Sequence, residues 1–177
     1  MKKLLVIVGK SGVGKTTLER KLMNHGVVGV PIYTDRERRK DDVSSYNYVS
    51  AEEFYDMQMH GEFDFSFHTE VNDRVYGYTL PKENGNYVVS FIYHGNAFDI
   101  SHIAIKAGFK VTYAIFQDNN VDDNAVKERS RSHIEYVNRQ SLGIAGNYDK
   151  LDKSINIITF NRDNSFESAM SVFNDYI

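Results

Sequence analysis

The stretch that decides the fold is Leu4-Leu5-Val6-Ile7-Val8, followed directly by Gly9-Lys10-Ser11-Gly12-Val13-Gly14-Lys15-Thr16. Residues 4–8 form a short apolar run rich in β-branched side chains, which is typical of a strand buried in a parallel sheet. Residues 9–16 satisfy the spacing G-x-x-x-x-G-K-[ST] of a phosphate-binding loop. Because a helix is predicted from Thr16 to His25, with Gly26 as its stop, the loop lies between a strand and a helix, as such a loop requires.

Each residue type in this loop has a physical role in binding phosphate. Glycines let backbone N–H groups turn towards phosphate oxygens, and the following helix adds its positive N-terminal end. Lys15 is expected to contact the β- and γ-phosphates and Thr16 to ligate Mg²⁺. The predicted ATP-binding residues of the loop are Gly9, Ser11, Gly12, Val13, Gly14, Lys15, Thr16 and Thr17. The alternative is a glycine-rich turn without a ligand, but the strand–loop–helix context favours nucleotide binding.

Composition narrows the class of protein further. The chain has 177 residues, 41% of them hydrophobic, a net charge of −3 and no cysteine. Such a chain can bury a core, so disorder is a poor interpretation, and disulfide frameworks and thiolate zinc sites are excluded. The charge does not favour nucleic acid as a partner, and no stretch approaches the roughly 18 apolar residues of a membrane span. The apolar run is too short for a signal peptide, so a cytoplasmic protein is expected.

Strand and helix patterns alternate along the rest of the chain. Apolar runs predict strands over residues 87–93, 111–116 and 155–160, and helical spacing follows at 97–107 and after Asn164 or Ser165. Between them, Ser50-Ala51-Glu52-Glu53 has the spacing of a capping box and predicts a helix over 51–59. Alternating Phe63, Phe65 and Phe67, with a second extended stretch over 74–79, predict a small antiparallel sheet.

Residues 118–150 are polar and include a second capping-box spacing at Ser132-His133-Ile134-Glu135. The sequence therefore predicts an α/β, three-layer phosphate-loop fold with a mostly parallel sheet flanked by helices, interrupted by a small α+β insertion and a polar helical one.

The loop alone does not define a function, because GTPases, motors, kinases and transport ATPases all use it. The guanine-reading N-K-x-D of GTPases is absent, and large ATPases need a longer chain. A small-molecule or nucleotide kinase fits the length.

Several motifs occur in the order found in the guanylate kinase family, which the sequence resembles. Thr34-Asp35-Arg36-Glu37-Arg38-Arg39 looks like T-T-R-x-x-R, and the segment from Ser45 to Phe54 is similar to D-Y-x-F-V-S-x-x-E-F. The stretch from His68 to Gly77 resembles the one that ends Y-Y-G in the family. Residues 126–131 resemble the start of the lid, Asn138-Arg139 its later K-R, and residues 159–161 the V-N-D strand end near the adenine.

The resemblance implies an enzyme that uses ATP and Mg²⁺ to phosphorylate a nucleoside monophosphate, with GMP or dGMP favoured. It implies a core of residues 1–33, 84–120 and 151–177, an acceptor-binding insertion over 34–83 and a lid over 121–150.

The implied acceptor-binding residues are Thr34, Arg36, Arg39, Tyr46 and Tyr76. The implied catalytic residues are Lys15, Arg36 and Arg139, and Arg129 and Asn161 are added to the ATP-binding set. Arginine suits these roles because its planar fork binds phosphate oxygens bidentately. Without the resemblance, each arginine would be interpreted as a solvated surface residue and each tyrosine as a packing residue.

The sequence departs from the family at three places. The strand end D-x-D-x-x-G corresponds to Ser90-Phe91-Ile92-Tyr93-His94-Gly95, so both carboxylates are missing, and Asp99 is the nearest acid that follows. The guanine-reading glutamate falls within residues 63–67, where Asp64 or Glu70 would serve only if displaced. The lid lacks part of the arginine pattern, around Arg129 and Arg131. Two alternatives therefore stay open: a catalytically weak nucleotide-binding or protein-interaction module, and a kinase for another small phosphorylated acceptor.

Overall fold

The computed structural model describes residues 1–70, 72–92, 94–117, 124, 126–127, 130, 151 and 153–174. The strands are β1 (Lys2–Val8), β2 (Val28–Gly29), β3 (Ile32–Thr34), β4 (Tyr46–Tyr48), β5 (Phe65–Thr69), β6 (Arg74–Tyr78), β7 (Gly85–Phe91), β8 (Phe109–Phe116) and β9 (Asn156–Phe160). The helices are α1 (Lys15–Met23), α2 (Ala51–Met59), α3 (His94–Lys106) and α4 (Ser165–Ser171). Among the described residues, no helix has the length and apolar character needed to cross a membrane.

A five-stranded sheet with the order β2-β7-β1-β8-β9 forms the centre of the molecule. All of its neighbouring strands run parallel. Its central strand β1 carries the apolar run of the sequence, and each of its residues from Leu4 to Val8 is fully buried. The predicted mostly parallel sheet is therefore confirmed. The apolar run predicted this strand over 87–93, whereas β7 spans Gly85–Phe91. The strand starts earlier because its backbone pairing with β1 extends back to Gly85.

Helices cover both faces of this sheet. Successive side chains of a strand point to opposite faces, so Leu4, Val6 and Val8 pack in the core that includes the α3 residues Ala97, Ile100 and Ala104. Leu5 and Ile7 pack in the other core, together with Leu18 and Leu22 of α1 and Ala169 of α4. The result is the three-layer α/β arrangement that the sequence predicts.

A second sheet has four strands in the order β4-β3-β6-β5. The predicted antiparallel partners are present as β5 and β6, with Phe65 opposite Tyr78. β3 pairs antiparallel with β6 and parallel with β4, so this sheet is mixed, whereas the sequence predicts an antiparallel one. Strands of three residues are too short to show an alternating pattern, and for this reason β3 and β4 were not predicted.

Helix α2 lies beside this second sheet and begins at the predicted capping box. Glu53 N donates to Ser50 Oγ at 3.1 Å, and Ser50 N donates to Glu53 Oε2 at 2.7 Å. The predicted bounds, 51–59, are confirmed. The predicted insertion over 34–83 contains β4, α2, β5 and β6, whereas β3 starts at Ile32. Nearly all of the predicted lid, including residues 132–135, lies outside the described residues.

Candidate active site

The phosphate loop lies at the edge of the sheet where the parallel strands β1 and β7 end. The chain leaves β1 at Val8, passes through the loop into α1, and returns through β2 on the far side of β7. The connection from β7 through α3 leads instead to β8, on the other side of β1. Ligands of open α/β sheets bind at such a point, where successive connections diverge at the carboxyl ends of the strands.

Glycines allow the loop to adopt its shape. Gly12 and Gly14 have φ angles of 84° and 111°, a region that side chains other than glycine rarely adopt. A Cβ atom on Gly9 would lie 3.0 Å from Phe116 Cβ and 3.1 Å from Val13 Cγ2, so the loop packs tightly on the end of β8. Backbone N–H groups are thereby free to face an anion above the loop.

Lys15 lies at the start of α1 and bends back over the loop. Its Nζ donates to Gly9 O and to Lys10 O, both at 2.6 Å. These carbonyls hold the ammonium group over the loop. In this motif the lysine there contacts the β- and γ-phosphates of a bound nucleotide.

A cavity of about 360 Å³ opens over the loop, and we refer to it as the loop cavity. Its cationic lining residues are Lys15, Lys21, Arg39 and Arg162. Of the predicted ATP-binding residues, those that line it are Ser11, Gly12, Gly14, Lys15, Thr16 and Thr17. Gly9 and Val13 are buried behind the loop and support it. An excess of positive charge around a ring of loop amides suits a polyphosphate.

Arg162 is a functional candidate that the sequence analysis missed. Its Nη2 lies 3.4 Å from both Gly12 O and Val13 O. The signal for it was present, since Arg162 follows β9 and therefore lies at the same edge of the sheet as the loop. The neighbouring Asn161 accepts hydrogen bonds from Asp163 N and Asn164 N through its side-chain oxygen and does not line the loop cavity.

A second cavity of about 120 Å³ adjoins the first, between the two sheets. We refer to it as the aromatic cavity because four of its lining residues are Phe67, Tyr76, Tyr78 and Phe91. Its polar lining residues include Arg36, Arg39, Tyr46, Thr69, Asn72, Ser90 and Asn96. Both cavities are lined by Arg39, Tyr46, Ser90, Phe91 and Ile92, and the three polar ones, Arg39, Tyr46 and Ser90, mark the junction between them. An aromatic wall with a few polar groups is the usual lining of a site for a planar organic ligand.

The predicted acceptor residue Arg36 is buried and bound to Asp42. Its Nη1 and Nη2 donate to the two oxygens of Asp42 at 2.8 and 2.5 Å, and its guanidinium lies 4.5 Å from the centre of the Tyr46 ring. Burial alone would lower the pKa of Arg36, but the hydrogen bonds to Asp42 outweigh it and raise the pKa. Thr34, also predicted to bind the acceptor, is fully buried and its Oγ1 accepts from Arg36 N at 3.3 Å.

Of the predicted arginines that the structure describes, Arg36 lines only the aromatic cavity, whereas Arg39 lines both cavities. Its backbone N donates to Asp42 at 2.7 Å, and the Tyr48 hydroxyl donates to the same carboxylate. The segment that carries Arg39 is thus fixed by Asp42, while Tyr46 and Tyr76 line the aromatic cavity beside it.

The acids that the sequence analysis considered as replacements lie elsewhere. Asp64 is exposed and its Oδ2 accepts from Leu80 N at 2.7 Å, and Glu70 and Asp99 are also exposed. None of the three lines either cavity. Ser90 and Ile92, which stand where the family has carboxylates, line both.

Glu19 is an acidic residue at the site that the sequence analysis also missed. It is 6% exposed, and Ser90, which lines both cavities, and Lys15 are the neighbours that act on its charge. Burial raises its pKa to about 7, against the opposing effects of Ser90 and Lys15. The helical spacing carried the signal, since Glu19 precedes the buried Leu22 by three residues and so shares its side of α1.

The site fits a magnesium ion that is held mainly by its ligand. The Thr16 side chain lines the loop cavity, and the described part of the chain holds no group of three or more His, Cys, Asp or Glu that could bind a metal by themselves. Mg²⁺ in nucleotide sites takes much of its octahedral shell from phosphate oxygens and water, so one hydroxyl ligand is compatible with it. Arg129, Arg131 and Arg139 lie outside the described residues.

Comparison with known proteins identifies the fold. No protein-family model and no curated protein matches the sequence. Among solved structures, guanylate kinase from Anaplasma phagocytophilum matches with a TM-score of 0.57 over 97% of this chain and 81% of that chain, at 15% sequence identity. The chain therefore has an α/β fold like that of this guanylate kinase.

Proposed function

We propose that the protein is a nucleoside monophosphate kinase that transfers the γ-phosphoryl group of ATP, with GMP and dGMP as the first acceptors to test. The observation that carries the proposal is the junction of the two cavities. A phosphate loop lines one of them, aromatic side chains line the other, and Arg39, Tyr46 and Ser90 line both. A phosphoryl group transferred in line needs a donor and an acceptor phosphate that meet at such a point.

In this proposal the loop cavity takes the triphosphate. Amides around Gly12 and Gly14 and the ammonium of Lys15 face its oxygens, and Thr16 would hold Mg²⁺. Bound Mg²⁺ supplies neutralisation of the phosphate charge. An oxygen of the acceptor phosphate forms a bond to the γ-phosphorus while the bond from that phosphorus to the β–γ bridging oxygen breaks, which leaves ADP and the diphosphate of the acceptor.

The aromatic cavity takes the acceptor. Arg39, with Tyr46 and Tyr76, supplies donors for its phosphate, and the aromatic walls contact the base. Asn72 Nδ2 donates to the Tyr76 hydroxyl at 2.9 Å. Its Oδ1 is buried and accepts no hydrogen bond from the part of the chain that the structure describes. A buried acceptor without a partner is costly, so we assign Asn72 Oδ1 to an N–H group of the base.

A second candidate function is a nucleotide-binding module without catalysis. The observation that favours it is Ser90 and Ile92 at the end of β7, where guanylate kinases carry carboxylates. The loop residues Lys15 and Thr16 favour the kinase, because a module that only binds has no evident need for both.

ADP formation from MgATP tests the choice between these functions. The acceptors are GMP, dGMP, AMP, CMP, UMP and dTMP. The test variant is Lys15→Ala. Its matched control is Lys10→Ala, since Lys10 is a lysine of the same loop that lines neither cavity. We expect acceptor-stimulated turnover that Lys15→Ala lowers by about 100-fold or more, because an aimed positive donor is lost, and that Lys10→Ala keeps. ATP binding without turnover on any acceptor would leave the binding module as the function.

A further inference from the structure

Asn72 is a polar residue of the aromatic cavity whose side chain is satisfied at one end only. It lies in the turn between β5 and β6 and lines this cavity. Its Nδ2 donates to the Tyr76 hydroxyl at 2.9 Å, whereas its buried Oδ1 accepts no hydrogen bond from the described part of the chain. A buried amide oxygen without a partner is costly, and such a group in the wall of a cavity indicates that a ligand completes it.

The turn that carries Asn72 holds it against the cavity. The next residue, Asp73, has a φ of 52°, in the left-handed region that residues with a Cβ atom rarely adopt. The Asp73 side chain is 93% exposed, and its Oδ1 lies 2.8 Å from Nε2 of His68 on β5. Asp73 therefore lies on the surface while Asn72 faces the cavity. Strain of this kind persists only where the surrounding structure enforces it, and it is common at ligand sites.

The contact with Asn72 gives the Tyr76 hydroxyl a defined direction. Tyr76 lies on β6 opposite Phe67 of β5, and the two rings stack with their centres 5.6 Å apart. Because the ring is packed in this way, the hydroxyl hydrogen is the part that can turn. A hydroxyl oxygen that accepts from Asn72 directs its own hydrogen elsewhere. Among the described residues, no atom accepts that hydrogen.

We propose that Asn72 is a positioning residue for the acceptor phosphate: by donating to the Tyr76 hydroxyl, it directs the hydrogen of that hydroxyl towards a phosphate oxygen in the aromatic cavity. Phosphate oxygens are strong acceptors, so a hydroxyl that binds them has to donate. At its other end, Oδ1 accepts from the base, so one carboxamide contributes to binding at both ends of the nucleotide. This inference rests on the proposed function, since it assumes a nucleoside monophosphate in this cavity.

Asparagine suits this position because its carboxamide carries both a donor and an acceptor. An ionised aspartate in its place would only accept, so the Tyr76 hydroxyl would donate to it and turn its lone pairs towards the phosphate. Asn72→Asp therefore keeps the shape of the side chain but reverses the direction of the Tyr76 hydroxyl. It also leaves an acceptor for the N–H group of the base.

Calorimetric titrations with GMP and with guanosine separate the two ends of the ligand. The dissociation constant of guanosine divided by that of GMP measures what the phosphate adds to binding, and we refer to this ratio as the phosphate factor. The proteins are the wild type, Asn72→Asp, Tyr76→Phe and the variant with both changes. All titrations are made at pH 8, well above the usual pKa of an aspartate.

The matched control is Asn96→Asp, with and without Tyr76→Phe. Asn96, in the first turn of α3, also lines the aromatic cavity, but it makes no hydrogen bond to Tyr76. The control therefore adds the same charge to the same cavity and leaves the direction of the Tyr76 hydroxyl unchanged.

We expect Asn72→Asp and Tyr76→Phe each to lower the phosphate factor by about 10- to 100-fold, the effect of one lost hydrogen bond to a charged group. The variant with both changes should have the phosphate factor of Asn72→Asp alone, because both changes remove the same donor. Guanosine should bind to Asn72→Asp about as well as to the wild type. The effects of Asn96→Asp and Tyr76→Phe should instead multiply, because these two changes are independent.

A phosphate factor that Asn72→Asp leaves unchanged would overturn the proposal, and so would effects of Asn72→Asp and Tyr76→Phe that multiply as in the Asn96→Asp control. A wild type that binds GMP no better than guanosine would fail for a different reason, since the aromatic cavity would then not hold the acceptor phosphate of the proposed function. If Asn72→Asp does not fold, the side-chain amide resonances of Asn72 in the wild type replace it. A larger shift with GMP than with guanosine supports the proposal, and equal shifts contradict it.

Discussion

Asp42 is the residue that holds the proposed acceptor side of the site in place. Three groups donate to its carboxylate: the Arg36 guanidinium, the Arg39 backbone N–H and the Tyr48 hydroxyl. Although burial raises the pKa of Asp42, these hydrogen bonds lower it by more, so its pKa lies below the usual value. The carboxylate therefore fixes the loop that carries Arg39 between the two cavities.

Replacing Asp42 should destabilise the protein in a pH-dependent way. Asp42→Asn leaves Arg36, which is 4% exposed, as a buried charge without its partner, and we expect a loss of about 3 kcal/mol in the free energy of unfolding at pH 7. The pKa of Asp42 is lower in the folded than in the unfolded state. Its contribution is therefore present above the unfolded pKa, near 4, and is lost as pH falls through the folded pKa.

Urea unfolding at pH 7 and at pH 3 measures this difference, with the exposed Asp56→Asn as the control. A loss that is as large at pH 3 as at pH 7 would contradict the assignment of ionised Asp42 as the stabilising form.

Arg39 and Arg38 form a matched pair for acceptor binding. Arg39 lines both cavities, whereas the adjacent Arg38 is exposed and lines neither. Arg39→Ala should raise the KM for the acceptor about 10- to 100-fold, the effect of losing a charged hydrogen bond to phosphate. Arg38→Ala should leave it unchanged. Steady-state kinetics with the best acceptor of the panel decides, and equal effects of the two variants would mean that Arg39 acts only through the general charge of the segment.

At the level of elements, β6 depends on a glycine beneath an aromatic ring. A Cβ atom on Gly77 would lie 2.8 Å from the ring of Phe63, whereas one on Gly95, in the first turn of α3, meets nothing within 4 Å. Gly77→Ala should lower the free energy of unfolding by about 1 to 3 kcal/mol through overpacking. Gly95→Ala should be neutral or slightly stabilising, because alanine favours helix. Chemical denaturation of both variants compares the two sites, and a Gly77→Ala protein as stable as the wild type would show that Phe63 moves aside without cost.

Elements with a long pattern could be predicted from the sequence, and short ones could not. β1 and α2 have a continuous apolar run and a capping box, which are local signals, and both are confirmed. β3 and β4 have three residues each and exist because β6 pairs with β3 and β3 with β4. Pairing between distant segments leaves no local pattern, and this is why the second sheet was expected to be purely antiparallel.

At the level of the whole molecule, the site too has one part that could be predicted from the sequence and another that could not. The phosphate loop is one continuous segment, so most of its residues that line the loop cavity could be predicted from the sequence, and their chemistry stays a prediction. Arg162 follows β9, Glu19 lies on α1 and Ser90 lies on β7, and only the folded sheet brings these segments together. The sequence resemblance assigned Arg36 directly to phosphate and did not predict its pairing with Asp42, because the partner lies outside the motif.

Ligand binding should stabilise the whole fold if the loop cavity takes nucleotide. ADP at about 100 times its dissociation constant adds about 2.7 kcal/mol, which for a chain of this size raises the Tm by about 5 to 10 °C. Thermal unfolding with and without ADP measures the shift independently of catalysis. Lys15→Ala should lose most of it, and a shift of equal size in that variant would place the bound nucleotide elsewhere.

The wall that the two cavities share also limits how they can be occupied. Arg39, Tyr46 and Ser90 line both of them, so the two cavities lie side by side. Under the proposed function, a single molecule made of two nucleosides joined by a phosphate chain should therefore occupy both at once. Once its first half is bound, the second half is present at an effective concentration in the millimolar range, and the compound gains affinity over either nucleotide without making any contact that the two do not make separately.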